Sequence, residues 1–228
     1  MLIQSFSGIR GIYGKDLTDE VVRRYACVFN EFLKGKIGKI PKIVVGYDTR
    51  LSNKALKKAV FDSLYDIIDV GIMPIPAIEL AVREYKANGG IAITASHNEP
   101  EYNGLKFLDK DGAVLRPDDI GRVIKNFNKK EKITIGNKKK TIVKKNSDLI
   151  NRYSKFLKKI VGNADNKTKV LLDVNGGSGI ILKGIINKLQ LDNTKIINGK
   201  AGEFKRKVEP TENSLKYLKK VIKKENAD

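Results

Sequence analysis

The sequence predicts an α/β fold, and three observations carry that prediction. Strand-like and helix-like segments alternate along the chain. The strand-like runs, such as Lys42–Tyr47, are continuous and apolar, as in a sheet buried on both faces. Capping and helix-starting residues, among them Thr18, Ser52, Pro76 and Pro117, separate the two kinds of segment.

The elements follow in order. Asp16 or Thr18 is suited to cap a helix whose apolar residues Val21, Tyr25, Phe29, Phe32 and Leu33 recur at three- and four-residue steps. Lys42-Ile43-Val44-Val45-Gly46-Tyr47 is a strand. Ser52 starts a helix with Leu56, Ala59, Val60, Leu64 and Ile67 on one face, and a short strand ends near Ile72. Pro76 sits in the first turn of a helix reaching Tyr85. Gly90–Thr94 and Leu105–Leu108 are strands, the second turning at Asp111-Gly112, and Pro117 opens a helix to about Ile124. The lysine-rich stretch from Phe127 to Lys145, with a weak strand at Ile133-Thr134-Ile135, is the expected boundary region. A second α/β unit follows: a helix around Ile150–Ile160, a strand Lys169–Val174, a turn Asn175-Gly176-Gly177-Ser178-Gly179, a helix to Leu189, a strand at Ile196-Ile197 and a helix from Glu212 to Lys224. A strand would be the natural next element, so this unit is expected to be incomplete. The division is placed at 135/136.

Composition narrows the function classes. With 45 Lys and Arg against 26 Asp and Glu, the formal charge is +19. Such a field attracts anionic small molecules. The lysines cluster at Lys129–Lys145 and Lys216–Lys224 with little aromatic interleaving and no arginine-rich patch, which argues against nucleic acid as the partner. No apolar run approaches roughly 18 residues, so no membrane span is expected. No signal peptide is visible either, and a cytoplasmic protein is expected. The single cysteine, Cys27, lies in a helical apolar pattern and reads as a core residue.

The chemistry concentrates in Thr94-Ala95-Ser96-His97-Asn98, followed by Asn103-Gly104-Leu105-Lys106. The stretch begins at the carboxyl end of a strand, where open α/β sheets bind ligands. His97 is the only histidine of the chain. A serine hydroxyl is a weak nucleophile unless a base activates it or it already carries a group. There is no Gly-x-Ser-x-Gly elbow, so a hydrolase triad is not indicated. Cationic and amide donors around Ser96 instead suit a phosphoserine intermediate. His97 is a donor for an oxyanion, Asn98 and Asn103 are orienting groups, and Gly104 allows close backbone approach.

Together these residues resemble the α-D-phosphohexomutases, the family of phosphoglucomutase, phosphomannomutase and phosphoglucosamine mutase. The resemblance is carried by Phe6-Ser7-Gly8-Ile9-Arg10-Gly11, by Val45-Gly46-Tyr47-Asp48-Thr49-Arg50 with Ser52, by Pro74-Ile75-Pro76, and by Gly89–Asn98 through Tyr102–Lys106. Later echoes are Asp173–Gly179 and Glu209-Pro210-Thr211-Glu212-Asn213. It implies two similar αβα-sandwich domains with mixed sheets, the second incomplete. It implies that Ser96 is the phosphorylated serine, flanked by His97 and Lys106, with Arg10 reaching the same pocket from the first loop. Asn98, Asn103, Gly104 and Arg50 would bind substrate or phosphate. The implied reaction passes the Ser96 phosphoryl to a hexose phosphate and takes the other phosphoryl back, so that phosphate moves between the 1 and 6 positions.

Mg²⁺ is the implied cofactor, with the Ser96 phosphate as one ligand. The family's Asp-Gly-Asp metal loop is expected just after Asp228, and Asp109, Asp111, Asp118 and Asp119 have the spacing of a turn and a helix start instead. Firm Mg²⁺ binding and full activity are therefore not expected of these residues alone. The alternative is a non-catalytic or split-enzyme subunit that pairs with a separate C-terminal half, or self-associates, through the unfinished domain. Two motifs stay open. Asp48-Thr49-Arg50 is either a phosphate-binding turn or a capped turn with a local ion pair. Asn175–Gly179 reads as a tight strand-to-helix turn, since it lacks the lysine of a P-loop.

Overall fold

The computed structural model describes residues 1–129, 142–145, 148–162 and 167–227. The weak strand expected at Ile133-Thr134-Ile135 lies outside these residues. The elements are β1 (Ile3–Ser5), β2 (Gly8–Ile12), α1 (Asp19–Ile37), β3 (Lys42–Tyr47), α2 (Asn53–Phe61), β4 (Asp66–Ile72), α3 (Ile75–Glu84), β5 (Gly89–Ile93), β6 (Tyr102–Leu108), α4 (Pro117–Asn128), β7 (Ile142–Lys145), α5 (Leu149–Val161), β8 (Val170–Asp173), α6 (Leu182–Leu189), β9 (Thr194–Ile197), α7 (Glu212–Leu215) and α8 (Leu218–Glu225).

Among the described residues, seven strands form one mixed sheet in the order β1-β2-β6-β5-β3-β4-β7. β5, β3, β4 and β7 run parallel, while β6, β2 and β1 pair antiparallel in turn. Alternation along the strands sends side chains to opposite faces. Ile43 and Val45 of β3 face a core built with Val22, Tyr25 and Phe29 of α1, Leu56 and Val60 of α2, and Val123 of α4. Val44 faces the other core, with Ala77, Ile78 and Ala81 of α3 and Leu149 of α5. Each fully buried side chain of this size contributes about 1.5–3 kcal/mol by leaving water. The first unit is thus an αβα sandwich.

Several local expectations change. Thr18, not Asp16, caps α1 by accepting from Val21 N at 3.3 Å. Ser52 does not cap α2: its backbone is already helical and its hydroxyl accepts from Asn103 Nδ2 at 2.7 Å. Residues 3–12 form a hairpin, so Arg10 stands on a strand rather than in a loop. Ile142–Lys145 lies beyond the expected 135/136 division, yet β7 pairs in parallel with β4 and completes the first sheet. The change from one sheet to the other falls between Lys145 and Val170, and α5 packs against both α3 and α6.

In the second unit β8 and β9 pair in parallel, Val170↔Thr194 through Asp173↔Ile197. A 3-10 turn at Ser178–Ile181 leads directly into α6. The helix expected over 212–224 is broken into α7 and α8, with Thr211 capping α7 through Ser214 N.

Candidate active site

The sheet order creates the site. From β3 the chain passes through α2 to β4 on one side. From β4 it passes through α3, on the opposite face, to β5 on the other side of β3. The loops leaving β3 and β5 therefore diverge and open a crevice at their carboxyl ends, the usual ligand position in such sheets. That crevice is a cleft of 390 Å³. The first unit lines it with Asp48, Thr49, Arg50, Pro74, Ile75, Thr94, Ser96 and His97, and the second with Gly177, Ser178, Phe204 and Val208.

Ser96 is exposed at the mouth of this cleft and its backbone is left-handed, with φ of 57°. For a residue with a Cβ this conformation costs about 1–2 kcal/mol. Local bonds hold it. The Ser96 N–H donates to Thr94 Oγ1 at 3.1 Å, and the Thr94 hydroxyl donates to Asp48 Oδ2 at 2.7 Å. Asn98 N closes a turn on the Ala95 carbonyl at 3.1 Å. Strain of this kind at an exposed hydroxyl is typical of residues placed for chemistry. His97 Nδ1 lies 3.4 Å from Ser96 Oγ, so the imidazole and the hydroxyl share one anion-accessible spot.

Asp48 is the hub of the β3 loop. Its Oδ1 accepts from Arg50 N at 3.0 Å and from Asn53 Nδ2 at 2.7 Å, and its Oδ2 accepts from Arg50 Nε at 3.0 Å and from Thr94. Arg50 itself is buried, with 1 % of its side chain exposed. Its Nη1 donates to the Glu99 carbonyl at 2.7 Å, and its Nη2 donates to the carbonyls of Asn98 at 2.6 Å and Ser96 at 3.1 Å. Of the two readings of Asp48-Thr49-Arg50, the capped turn with a local ion pair is the one observed. Arg50 lines the cleft, but its guanidinium is turned to the protein backbone and not to open space.

The remaining sequence-derived candidates divide. Arg10 Nη1 donates to Asn98 Oδ1 at 3.3 Å, which joins β2 to the Ser96 loop. Asn103 is fully buried. Its Nδ2 donates to Ser52 Oγ at 2.7 Å and Asn53 Oδ1 at 2.8 Å, and its Oδ1 accepts from Gly104 N at 2.8 Å, so it ties β6 to the start of α2. Gly104 is required by packing: a Cβ there would sit 2.2 Å from the Ile9 carbonyl oxygen of the neighbouring strand. The polar groups of both residues are bonded within the sheet and to the start of α2. Lys106 is half-buried on β6, opposite Ala92 of β5, and does not line the cleft.

The second unit supplies residues that carried no separate signal in the sequence. Phe204 and Val208 reach the cleft from the long connection after β9. That connection is anchored by Asp173. Its carboxylate accepts from Arg206 Nε at 2.7 Å, Tyr217 Oη at 2.6 Å, Asn198 Nδ2 at 2.9 Å and Asn175 N at 3.0 Å. Partial burial works to raise the Asp173 carboxyl, but the bonds from Tyr217, Asn198 and Arg206 outweigh it and hold the group below the usual carboxylate range. The 175–179 segment is the tight turn the sequence suggested. Gly176 is left-handed, and a Cβ there would lie 2.5 Å from the Glu203 carbonyl oxygen.

The described residues do not form a Mg²⁺ cage. Ser96 offers one oxygen, the nearby Asp48 carboxylate is saturated by four donors, and no three His, Cys, Asp or Glu side chains gather elsewhere among the described residues. Mg²⁺ needs near-octahedral oxygen ligation. No helix among the described residues is long and apolar enough to cross a membrane.

Comparison with known proteins gives concordant results. Residues 2–134 match the family model described as phosphoglucomutase/phosphomannomutase, alpha/beta/alpha domain I. The chain is 34% identical over 233 residues to the "Probable phosphoglucosamine mutase" of Pyrococcus abyssi, covering 97% of this chain and 49% of that protein. It is 33% identical over 235 residues to the "Phosphoglucomutase/phosphomannomutase" of Thermococcus kodakarensis, covering 97% and 50%. A crystal structure of a phosphoglucomutase/phosphomannomutase family protein from Burkholderia thailandensis superposes with a TM-score of 0.71 at 25% identity, over 98% of this chain and 50% of that one. The chain spans about half the length of the curated relatives it matches.

Proposed function

Because the chain belongs to the phosphoglucomutase/phosphomannomutase family, as the match over residues 2–134 shows, we propose that it carries the phosphoserine centre of a phosphohexomutase. In this reading Ser96 Oγ holds a phosphoryl group as an ester. A hydroxyl of a bound hexose monophosphate attacks that phosphorus, the bond to Ser96 Oγ breaks, and the hydroxyl proton passes to a base of the site. The resulting hexose bisphosphate reorients and returns its other phosphoryl to Ser96. The net change moves phosphate between the 1 and 6 positions, an isomerisation by phosphoryl transfer. His97 donates to the phosphoryl oxygens, Arg10 supports the loop and adds positive charge, and the role of proton shuttle or phosphate partner that the resemblance implies for Lys106 would require its side chain to turn into the cleft, which it does not line here.

One observation carries the reading: an exposed serine hydroxyl, in a strained left-handed backbone beside the only imidazole, at the mouth of a cleft between two units. Phosphoryl transfer needs little covalent chemistry from the protein beyond a positioned acceptor and donors for charge. Mg²⁺ would neutralise charge on the Ser96 phosphate, which would be one of its oxygen ligands, and the described residues would not by themselves complete its coordination. The positive charge of the chain favours the capture of sugar phosphates. A cytoplasmic setting, where such substrates occur, is part of the proposal.

Intact-mass measurement tests this directly. Exposure of the chain to a hexose 1,6-bisphosphate is expected to add one phosphoryl group, removable by phosphatase and absent in Ser96→Ala. Labelling that persists in Ser96→Ala would sink the assignment. Turnover by the chain alone is expected to be low, and a coupled assay showing full mutase turnover would overturn that expectation.

A second reading has its own observation. The β8–β9 sheet has two strands among the described residues, and Val170 is 39% exposed. Two strands rarely stand alone. The chain would then act as a subunit completed by a separate C-terminal half or by a second copy. Mixing with a chain that carries an Asp-Gly-Asp loop would restore turnover in the first case, and light scattering would show a dimer in the second.

A further inference from the structure

We propose that Arg50 is a positioning residue for phosphoryl transfer at Ser96, acting by gathering the carbonyls of the 96–99 loop onto one guanidinium; this rests on the phosphoserine reading above. A guanidinium has five N–H donors in a rigid fork. Here Nε is spent on Asp48 Oδ2, Nη1 on the Glu99 carbonyl, and Nη2 on the carbonyls of Ser96 and Asn98. The Asp48 partner neutralises a cation that is otherwise withdrawn from water.

Two consequences follow for the chemistry. The left-handed Ser96 backbone is unfavourable by itself, and the clamp fixes the carbonyls on either side of the Ser96–Glu99 turn, so the loop cannot relax to an ordinary conformation. The three carbonyl dipoles are also directed at Arg50. Turned toward the cleft, they would repel the phosphoryl oxygens of an esterified Ser96; turned inward, they leave the hydroxyl and imidazole side of the loop to face the anion. The family resemblance implies a phosphate ligand at this position, and the hydrogen bonds place the Arg50 guanidinium on the loop instead. Lysine, a point charge with three rotatable donors, lacks the fork needed to reach Asp48 and three carbonyls together.

The test compares wild type, Arg50→Lys and Arg50→Ala in the full chain. Phosphorylation of Ser96 by a hexose 1,6-bisphosphate is followed by intact mass across donor concentrations. Amide hydrogen exchange is measured over residues 48–53 and 94–104, with β3 and α1 as the folded reference. A positional error of about 1 Å costs about 10²-fold in rate. Arg50→Lys is expected to slow phosphorylation by that order with an unchanged half-saturating donor concentration, and to lose exchange protection in the 94–99 segment alone. Added guanidinium ion is expected to restore part of the rate in Arg50→Ala. A rise in half-saturating concentration at unchanged maximal rate would make Arg50 a phosphate ligand and overturn the proposal. Unchanged exchange and rate in Arg50→Lys would overturn it as well. If wild type takes up no phosphoryl group, the phosphoserine reading fails, and the exchange data still decide whether Arg50 holds the loop.

Discussion

The Thr49 hydroxyl donates a 2.6 Å hydrogen bond to the Gly176 carbonyl, 127 positions further along the chain. Thr49 is buried, and Gly202 packs against its carbonyl from the same side. The loop after β3 therefore faces two ways. Thr49 holds the second unit, and its neighbour Arg50 holds the Ser96 loop. The floor and the far wall of the cleft are set by adjacent residues.

Thr49→Val keeps the shape of the side chain and removes the donor. The Gly176 carbonyl retains its bond from Gly202 N at 2.9 Å, so one lone pair rather than the whole group is left unmatched. The expected loss is about 1 kcal/mol, the net contribution of one hydrogen bond. Urea unfolding should show a lower midpoint. Exchange protection of residues 174–178 should fall more than that of β3, because the substitution loosens the contact between units and not the first sheet.

Ser96 separates function from stability. Ser96→Gly removes the steric penalty of the left-handed backbone, while Ser96→Ala keeps it. Neither variant accepts a phosphoryl group. The glycine variant is expected to be more stable than the alanine variant by up to about 1 kcal/mol, the strain relief being partly offset by the greater freedom of glycine in the unfolded chain. Thermal unfolding of the two proteins checks the order. An alanine variant at least as stable as the glycine variant would show that the loop relaxes readily and stores no strain.

What the sequence reveals depends on whether a signal is local. The parallel strands and the helices packed on them are legible because burial on both faces leaves apolar runs, and burial on one face leaves a three-to-four-residue rhythm. The β1–β2 hairpin is not, since Ile3 and Phe6 are exposed and Gly8 and Gly11 look like loop residues. Its order comes from pairing with β6, Arg10 opposite Gly104. β7 is an edge strand in a lysine-rich stretch and has no such run. At the site, Ser96 and His97 are legible from residue type and from their place after a strand. Arg50 and Asn103 are legible as polar residues near that site, but not as inward-facing ones, because residue type does not tell which acceptor a donor will find. Phe204 and Val208 arrive by tertiary folding of the second unit.

Asn103 gives the third prediction. Asn103→Ala takes the Nδ2 donor from Asn53 Oδ1 and Ser52 Oγ and removes the acceptor for Gly104 N, while Asn53 Nδ2 keeps its bonds to Asp48. Unmatched buried polar groups cost about 1–3 kcal/mol. The variant is expected to unfold at lower urea concentration by a free energy in that range. Its Ser96, if folded, should still be labelled by a hexose bisphosphate with an unchanged half-saturating concentration. A raised half-saturating concentration would restore Asn103 to the ligand-binding residues.

Asp173 makes the second unit sensitive to acid. Its folded-state carboxyl titrates below the unfolded value of about 3.9. The sign follows from proton linkage: the unfolded chain takes up the proton first as pH falls, so acid favours unfolding. The stabilisation from this carboxylate is complete above the unfolded value and disappears as pH drops through the folded one. In Asp173→Asn one accepting oxygen remains, so the amide keeps either the Arg206 and Tyr217 donors or the Asn198 and Asn175 N–H donors but not both pairs, and the variant is expected to be less stable than wild type at neutral pH. The gap between them should be flat from neutral pH down to about 5 and should close progressively below about 4. Urea midpoints across that range, read with a probe in the second unit, test the sequence of events. A gap that does not change with pH would mean that Asp173 organises the connection carrying Phe204 and Val208 by shape, with its charge playing no part.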